Sequence, residues 1–561
     1  MSEKWISRRS VLKAGLVGAV GAGLGGAWFF KSKYYSALAG LGATGSVNGD
    51  PSPISKIFET STLKDYTGDD PHRAHPILWD KTGFLKKING RPSSSENTSV
   101  IIVGGGISGL ASAYYLRDQK PILLEQASQF GGNSKGEKWE DISYSIGAAY
   151  ITRPSVDSPA ALLLKDLNLL DFRNDDSGNA HVLMGNAKKI ISPFWSGATD
   201  PARAAEFKSV HKTLIEFGEK TYPDIPWNKD STISKTEYDK LDRLSFAQWS
   251  QSKFQNLHPH IAEFFNEYAW SAFAGGVDEI SAAQMIGFLA SDLVGITVFP
   301  GGNAAIAQAM YERLKNTLPE NSLRANSLVL DVRTTSSGVE VTYTQNGETK
   351  TISAKACVFA APKFVAKRVI ENLPATQLEA MQKIKYRAYL VANVLLNKKF
   401  KSPSYDLFRL TPATITDPAV DSKSRAFTDV IFASWAAADN SQRSVLTLYH
   451  GCPYDGARGE LYSIDSFSNT KALFESSLPD LLSALSLSQS DVEDLRITRW
   501  GHALPLAEKG LLADGFLELA HQAIENRIFF AHQDNWANPC FETALSSAID
   551  ATSKTLQTIK M

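Results

Sequence analysis

Apolar positions along the 561-residue chain change their spacing several times, and each change marks a different kind of segment. The first is the uncharged run Ala14–Phe30, 17 residues that include six glycines and are therefore only mildly hydrophobic. It falls below the ~20 apolar residues of an ordinary membrane span. Residues 41–98 follow, read as an irregular segment because "GSVNGDPSP" and "NGRPSSSENTS" are rich in turn and linker residues. Then the pattern sharpens. "SVIIVGG" (99–105) reads as a short buried strand, "ISGLASAYYLRDQ" (107–119) as an amphipathic helix and "PILLEQ" (121–126) as a second strand. This is a βαβ unit.

Residues 154–299 are mixed and largely helical, and "FPGGNAAIAQAMYERL" (299–314) opens a further helix. Strands return in "SLVLDVRTT", "GVEVTYTQ" and "TKTISAKACVFAAP". After a second mixed region at roughly 370–494, "NRIFFAHQDNW" gives a last strand and "FETALSSAIDATSKTL" a closing helix. The chain has no internal repeat.

Composition narrows the function classes. With 58 Lys+Arg against 59 Asp+Glu there is no bulk basic footprint for nucleic acid. Cys357, Cys452 and Cys540 are too few and too scattered for a disulfide framework or a zinc site, and Cys357 reads as a small core residue of a strand. The ten histidines show no metal-ligand spacing; His72 and His75 read as members of a polar loop. No metal is expected.

The first strand-to-helix turn carries chemistry. Gly104, Gly106 and Gly109 form G-x-G-x-x-G, with Ser108 inside it. The first glycine permits the tight turn, the second lets a pyrophosphate approach the backbone, and the third lets helix and strand pack closely. The diphosphate would then lie over the helix N-terminus. Glu125, 21 residues after Gly104, ends the second strand where a ribose-binding acid belongs, followed by Gln126. A carboxylate there disfavours a 2′-phosphate. Spacing alone leaves NAD and FAD both open.

"IIVGGGISGLASAYYL…ILLEQASQFGGNS" resembles the opening of the flavin-containing amine oxidoreductase superfamily, which includes monoamine and polyamine oxidases, protoporphyrinogen oxidase and phytoene desaturases. The resemblance extends to the paired Gly131-Gly132, although Asn133 replaces the usual arginine. It extends also to "YSIGAAYI", whose Gly147, Ala148 and Ala149 match the segment around the flavin ring. Val329 and Val332 match a V-x-x-I pattern whose valine backbone meets adenine. At the C-terminal element, Gln533 falls on the ribityl-binding acid with Asp534 beside it, and Glu542-Thr543-Ala544 opens a helix facing the flavin O2 region.

The resemblance implies FAD as cofactor and an α/β fold: an FAD-binding Rossmann-like domain of glutathione-reductase type interleaved with a mixed α+β substrate domain. The expected flavin segments are 99–153, 300–370 and 495–561, and the expected substrate segments are 154–299 and 371–494. The implied activity is hydride transfer from an amine-type or other small organic substrate to flavin N5, then to oxygen or a membrane acceptor. The same frame also serves desaturase-like flavoproteins with apolar substrates, and non-catalytic binding proteins of the GDP-dissociation inhibitor type.

Two features of monoamine oxidases are missing. The lysine near flavin N5 aligns with Val391, with no lysine between Lys385 and Lys398, and a tyrosine of the aromatic pair aligns with Cys540. Trp500, His502, Trp536 and Cys540 are the pocket candidates, while Tyr386, Tyr389 and Trp435 read as core. No catalytic acid or base is assigned.

Ser7-Arg8-Arg9-Ser10-Val11-Leu12-Lys13 resembles the twin-arginine export signal S-R-R-x-F-L-K, with Ala37-Leu38-Ala39 as a plausible cleavage site. Residues 1–40 are thus expected to engage the twin-arginine export machinery and deliver a folded, cofactor-loaded protein to the periplasm, cleaved or retained as an inner-membrane anchor. A quinone or cytochrome would be an acceptor there.

Overall fold

The computed structural model describes residues 66–560 apart from 171–172, 177–179, 186–188, 221–224, 229–230, 401, 403, 412–416, 437–440 and 464. The twin-arginine motif, the apolar run and the first part of the segment 41–98 lie outside the described residues.

The strand Glu96–Val103 is the axis of a seven-stranded sheet. Its second half, Val100-Ile101-Ile102-Val103, is buried on both faces, as a central parallel strand must be. Ile122–Leu124 pairs with it in parallel on one side and Glu348–Phe359 in parallel on the other. Ile528–Phe530, from the far end of the chain, adds a further parallel strand beside Cys357–Phe359. Gly338–Gln345 and Ser327–Thr335 extend the sheet antiparallel. Helices Ile107–Tyr115, Ala304–Thr317 and Phe541–Lys560 bury one face through Leu110, Met310 and Leu545. The other face packs Leu330, Cys357 and Met381.

An eight-stranded sheet forms the second layer system. Its centre is Tyr386–Leu396, antiparallel to both Ser444–Cys452 and Val492–Pro505. From the Ser444–Cys452 side it continues through Asp429–Phe432, Asp406–Leu410, Val182–Met184 and Lys189–Ile191. Helices between Ala204 and Val294 build a separate aromatic core with Phe194, Trp195, Phe207, Phe264 and Phe273. The whole is an α/β fold with a nucleotide-type sheet and a second mixed domain.

Two expectations need correction. Residues 66–98 are not irregular throughout: Pro71–Trp79 and Lys81–Lys87 are helices, and His72 and His75 lie on the first of them. Asp70 and Asp80 cap these helices by accepting from the N–H groups of His72 and Gly83, and Pro71 suits the first helical turn. Residues 495–505, grouped by sequence with the flavin segments, hydrogen-bond into the eight-stranded sheet. Their long apolar alternation fits either sheet, and only the pairing with Tyr386–Leu396 decides.

One ion pair fixes the carboxyl edge of the parallel strands. Lys363 opens the helix that follows Glu348–Phe359, and Asp534 lies in the turn that follows Ile528–Phe530. Both side chains are fully buried, with Lys363 Nζ 2.5 Å from an Asp534 oxygen. The Lys363 N–H and the Tyr386 hydroxyl donate to the other oxygen at 2.7 and 2.6 Å. Burial alone would raise the Asp534 carboxyl, but His532 and Lys363 outweigh it and hold it well below the ordinary carboxylate range. A depressed carboxyl stabilises the fold above its unfolded pKa and surrenders that stability only as strong acid protonates it. Replacing Lys363 with Met strands a buried charge, and a loss of about 3–5 kcal/mol is expected in urea denaturation. A loss below about 1 kcal/mol would show that the pair does not hold this edge together.

Candidate flavin site

The glycine turn has the geometry the spacing predicts. Gly104 has φ +101°, a backbone region open mainly to glycine, and a Cβ on it would press the Ala360 backbone at 3.0 Å. A Cβ on Gly109 would fall 1.8 Å from the Gly104 carbonyl oxygen, so helix and turn meet at glycine distance. Gly106 differs. Its Cβ would meet nothing nearer than the Gly132 Cα at 3.7 Å. Gly106 and Gly131 form an isolated parallel bridge, which sets the paired glycine beside the turn. No side chain caps the helix Ile107–Tyr115, so its first N–H groups stay free for an anion. This backbone-lined cradle fits a diphosphate.

Glu125 is buried at the strand end, where its oxygens accept from the N–H groups of Gly105 (2.6 Å) and Ala127 (2.8 Å). Burial raises its pKa against the pull of those N–H groups and of Lys135. Its own backbone binds the strand Ser327–Thr335: Ser327 N–H donates to the Glu125 carbonyl at 2.7 Å, two residues before the buried Val329. Gln126 is exposed. Ser108 is buried and donates to the Ala544 carbonyl at 3.1 Å, tying the first helix to the last.

The segment 146–149 is held from the other sheet. Trp500 Nε1 donates to the Ile146 carbonyl at 2.7 Å, the Tyr449 hydroxyl to Gly147 at 2.5 Å and the Tyr405 hydroxyl to Ala149 at 2.9 Å. Asn133 joins in: its carbonyl accepts from Ala148 N–H, and its Nδ2 donates to the Ala503 carbonyl at 2.7 Å. A Cβ on Gly147 would sit 2.1 Å from the Asn133 oxygen, so this position admits no side chain. Ala148 is exposed and Ala149 buried.

At the C-terminal element, Gln533 is half-buried, while the Asp534 carboxylate is committed to Lys363, Tyr386 and His532. Glu542 accepts from both the N–H and the hydroxyl of Thr152, at 2.8 and 2.7 Å. Thr543 caps inward, onto the carbonyls of Asn538 and Cys540. The Cys540 thiol is pushed well up by burial and by Glu542. His502 stacks on Phe364 at 4.0 Å, and burial with nearby Arg458 lowers its pKa to about 2, so its ring is neutral. Trp536 is half-buried, its carbonyl taken by Gln284. Tyr405, Tyr449 and Lys363 escape sequence reading because their partners lie more than a hundred residues away and no local motif marks them.

Comparison with known proteins decides the family: the description "flavin containing amine oxidoreductase" matches residues 107–551. The chain belongs to this family. Oxidoreductase PigB of a Serratia species is 23% identical over 555 residues, covering 89% of this chain and 82% of PigB. Among solved structures, cyclohexylamine oxidase from Brevibacterium oxydans aligns at TM-score 0.59 and 17% identity, covering 83% of this chain and all of the oxidase (100%). A putrescine oxidase bound to putrescine aligns at TM-score 0.59 and 17% identity, covering 82% of this chain and 99% of its own. At that identity the structures establish the shared fold. The flavin-containing amine oxidoreductase assignment makes the protein an FAD-dependent oxidoreductase, and the cradle at Gly106 suits that cofactor.

Replacing Gly106 with Val tests the placement of the pyrophosphate. The Cβ would meet Gly132 only at ordinary contact distance, so the protein is expected to stay folded while bound flavin falls below about a tenth. Full flavin content would move the diphosphate elsewhere. Glu125→Ala is expected to weaken FAD binding by about 1–3 kcal/mol in a flavin-release titration, the worth of a charge-assisted hydrogen bond.

Proposed function

We propose that the protein is an exported FAD-dependent dehydrogenase that oxidises a small amine-type substrate and passes the electrons to a quinone or cytochrome rather than to oxygen. Bound FAD supplies the two-electron acceptor. The chain's residues bind and orient it: the Gly104–Gly109 turn and its helix take the diphosphate, Glu125 the ribose, and Gln533 the ribityl chain. Residues 146–149 and the start of the helix Phe541–Lys560 would flank the ring.

The observation that carries the acceptor reading is Val391. It is buried in the middle of Tyr386–Leu396, directly across from Tyr449, the residue whose hydroxyl reaches Gly147. Its neighbours in the same apolar cluster are Tyr389, Tyr449 and Trp500. A valine side chain cannot hold the water that the lysine of monoamine oxidases holds. Low oxygen reactivity follows from that substitution. The names of the relatives, putrescine oxidase and cyclohexylamine oxidase, support an amine-type substrate.

The export reading rests on the sequence motif Ser7–Lys13. Among the described residues no helix is long and apolar enough to cross a membrane.

Stopped-flow mixing of substrate-reduced enzyme with air-saturated buffer tests the acceptor. Reoxidation by oxygen is expected to be much slower than turnover with a soluble quinone, and Val391→Lys is expected to raise the oxygen rate. Stoichiometric peroxide formed as fast as turnover would restore the oxidase reading. For export, the double replacement Arg8→Lys with Arg9→Lys is expected to leave flavin-loaded protein in the cytoplasm, read by cell fractionation. Normal periplasmic delivery would mean a different signal.

A further inference from the structure

Beside the segment 146–149 the fold buries a group of acids. Tyr150 follows Ala149 directly, and its hydroxyl donates to Asp292 Oδ2 at 2.9 Å. Tyr268, from the helix Pro259–Phe273, donates to the same oxygen at 2.7 Å. Asp292 belongs to the helix Ala282–Val294 and is only 9% exposed. Its second oxygen, Oδ1, is buried and has no hydrogen-bond partner. A buried carboxylate oxygen left in that state is costly, and native proteins rarely leave one without a ligand or water.

The groups around it share its sign. Glu542, on the helix that opens the C-terminal flavin element, raises Asp292 further, after burial. Asp406 follows Tyr405, the residue that bonds Ala149, and its Oδ1 is likewise buried without a partner. Asp406 is raised by burial and then by Asp429, Asp176 and Asp292. Asp429 is 1% exposed and held by the Thr428 hydroxyl. Burial pushes both Asp292 and Asp429 up to about 7. No lysine, arginine or histidine is among the main influences on Asp292, Asp406, Asp429 or Glu542. Tyr389, Tyr405 and Tyr449 all feel these acids and add aromatic faces. Among the described residues no acid, histidine or cysteine group has the arrangement of a metal site.

We infer that Asp292, oriented by Tyr150 and Tyr268, is the specificity-determining residue that receives a positively charged substrate nitrogen, a protonated amine or iminium, beside the flavin edge. This rests on the flavoenzyme reading above and makes it narrower. An N–H⁺ supplies the donor that Oδ1 lacks and the counter-charge that the acid cluster lacks. The same acids offer a carboxylate no cationic partner, so amino acids and fatty acids are disfavoured as substrates.

The test is isothermal titration of the purified protein with tert-butylammonium, which carries no hydrogen on the carbon beside nitrogen and cannot be oxidised there. tert-Butanol and pivalate serve as the neutral and anionic counterparts of similar shape. The cation is expected to bind at least about tenfold tighter than the alcohol, with pivalate weakest. Asp292→Asn is expected to lose at least about tenfold in cation affinity while alcohol binding stays within about twofold. Asp406→Asn is expected to weaken the cation selectively and serves if Asp292→Asn fails to fold. Equal binding of cation and alcohol by the wild type, no detectable cation binding, or an unchanged cation Kd in folded Asp292→Asn overturns the inference. Flavin content is measured on the same samples. A colourless protein that still selects the cation defeats the flavoenzyme reading alone, and a yellow protein without selectivity defeats this inference alone.

Discussion

The eight-stranded sheet grips one short run of backbone, residues 146–149. Ile146, Gly147 and Ala149 each give a carbonyl to a side chain of the eight-stranded sheet or its flank, namely Trp500, Tyr449 and Tyr405. Asn133, two residues after the paired glycine's first member, ties the same segment back to Ala503. Because buried carbonyls need partners, these bonds are a constraint on both layers at once. If the second sheet shifts, the segment beside the flavin ring loses its acceptor pairing. On the proposed reading the nucleotide sheet would hold one end of the FAD, and this junction would set the position of its reactive end.

From there the rest of the site follows. Tyr150 carries the segment onward to Asp292, and Thr152 continues it to Glu542 at the start of the last helix. Ser108 returns from the glycine turn to Ala544 on that helix. The glycine turn, the segment 146–152, the last helix and Asp292 are thus linked by hydrogen bonds. Lys363 and Asp534 pin the strand ends.

Much of the nucleotide half was legible in the sequence, for a physical reason. A glycine turn, its preceding strand and its following helix are set by local sterics, so Gly104, Gly106, Gly109 and Glu125 announce themselves within about 25 residues. The substrate half is different. Its strands pair in the order 67–68, 492–505, 386–396, 444–452, 429–432, which no local pattern encodes. For that reason residues 495–505 were grouped with the wrong sheet by pattern, and the helices at 71–87 were hidden by their shortness and an internal proline, Pro76. The acids Asp292, Asp406 and Asp429 sit in three unrelated segments, so only the fold reveals that they act on one another.

The central claim is that this frame holds one FAD and reduces it at the expense of an organic substrate. Its most direct test is the visible spectrum of the purified chain, followed by acid precipitation and analysis of the supernatant. The account predicts a yellow protein that releases about one FAD per chain, as a single dinucleotide turn implies. A colourless chain that takes up no added FAD would contradict it.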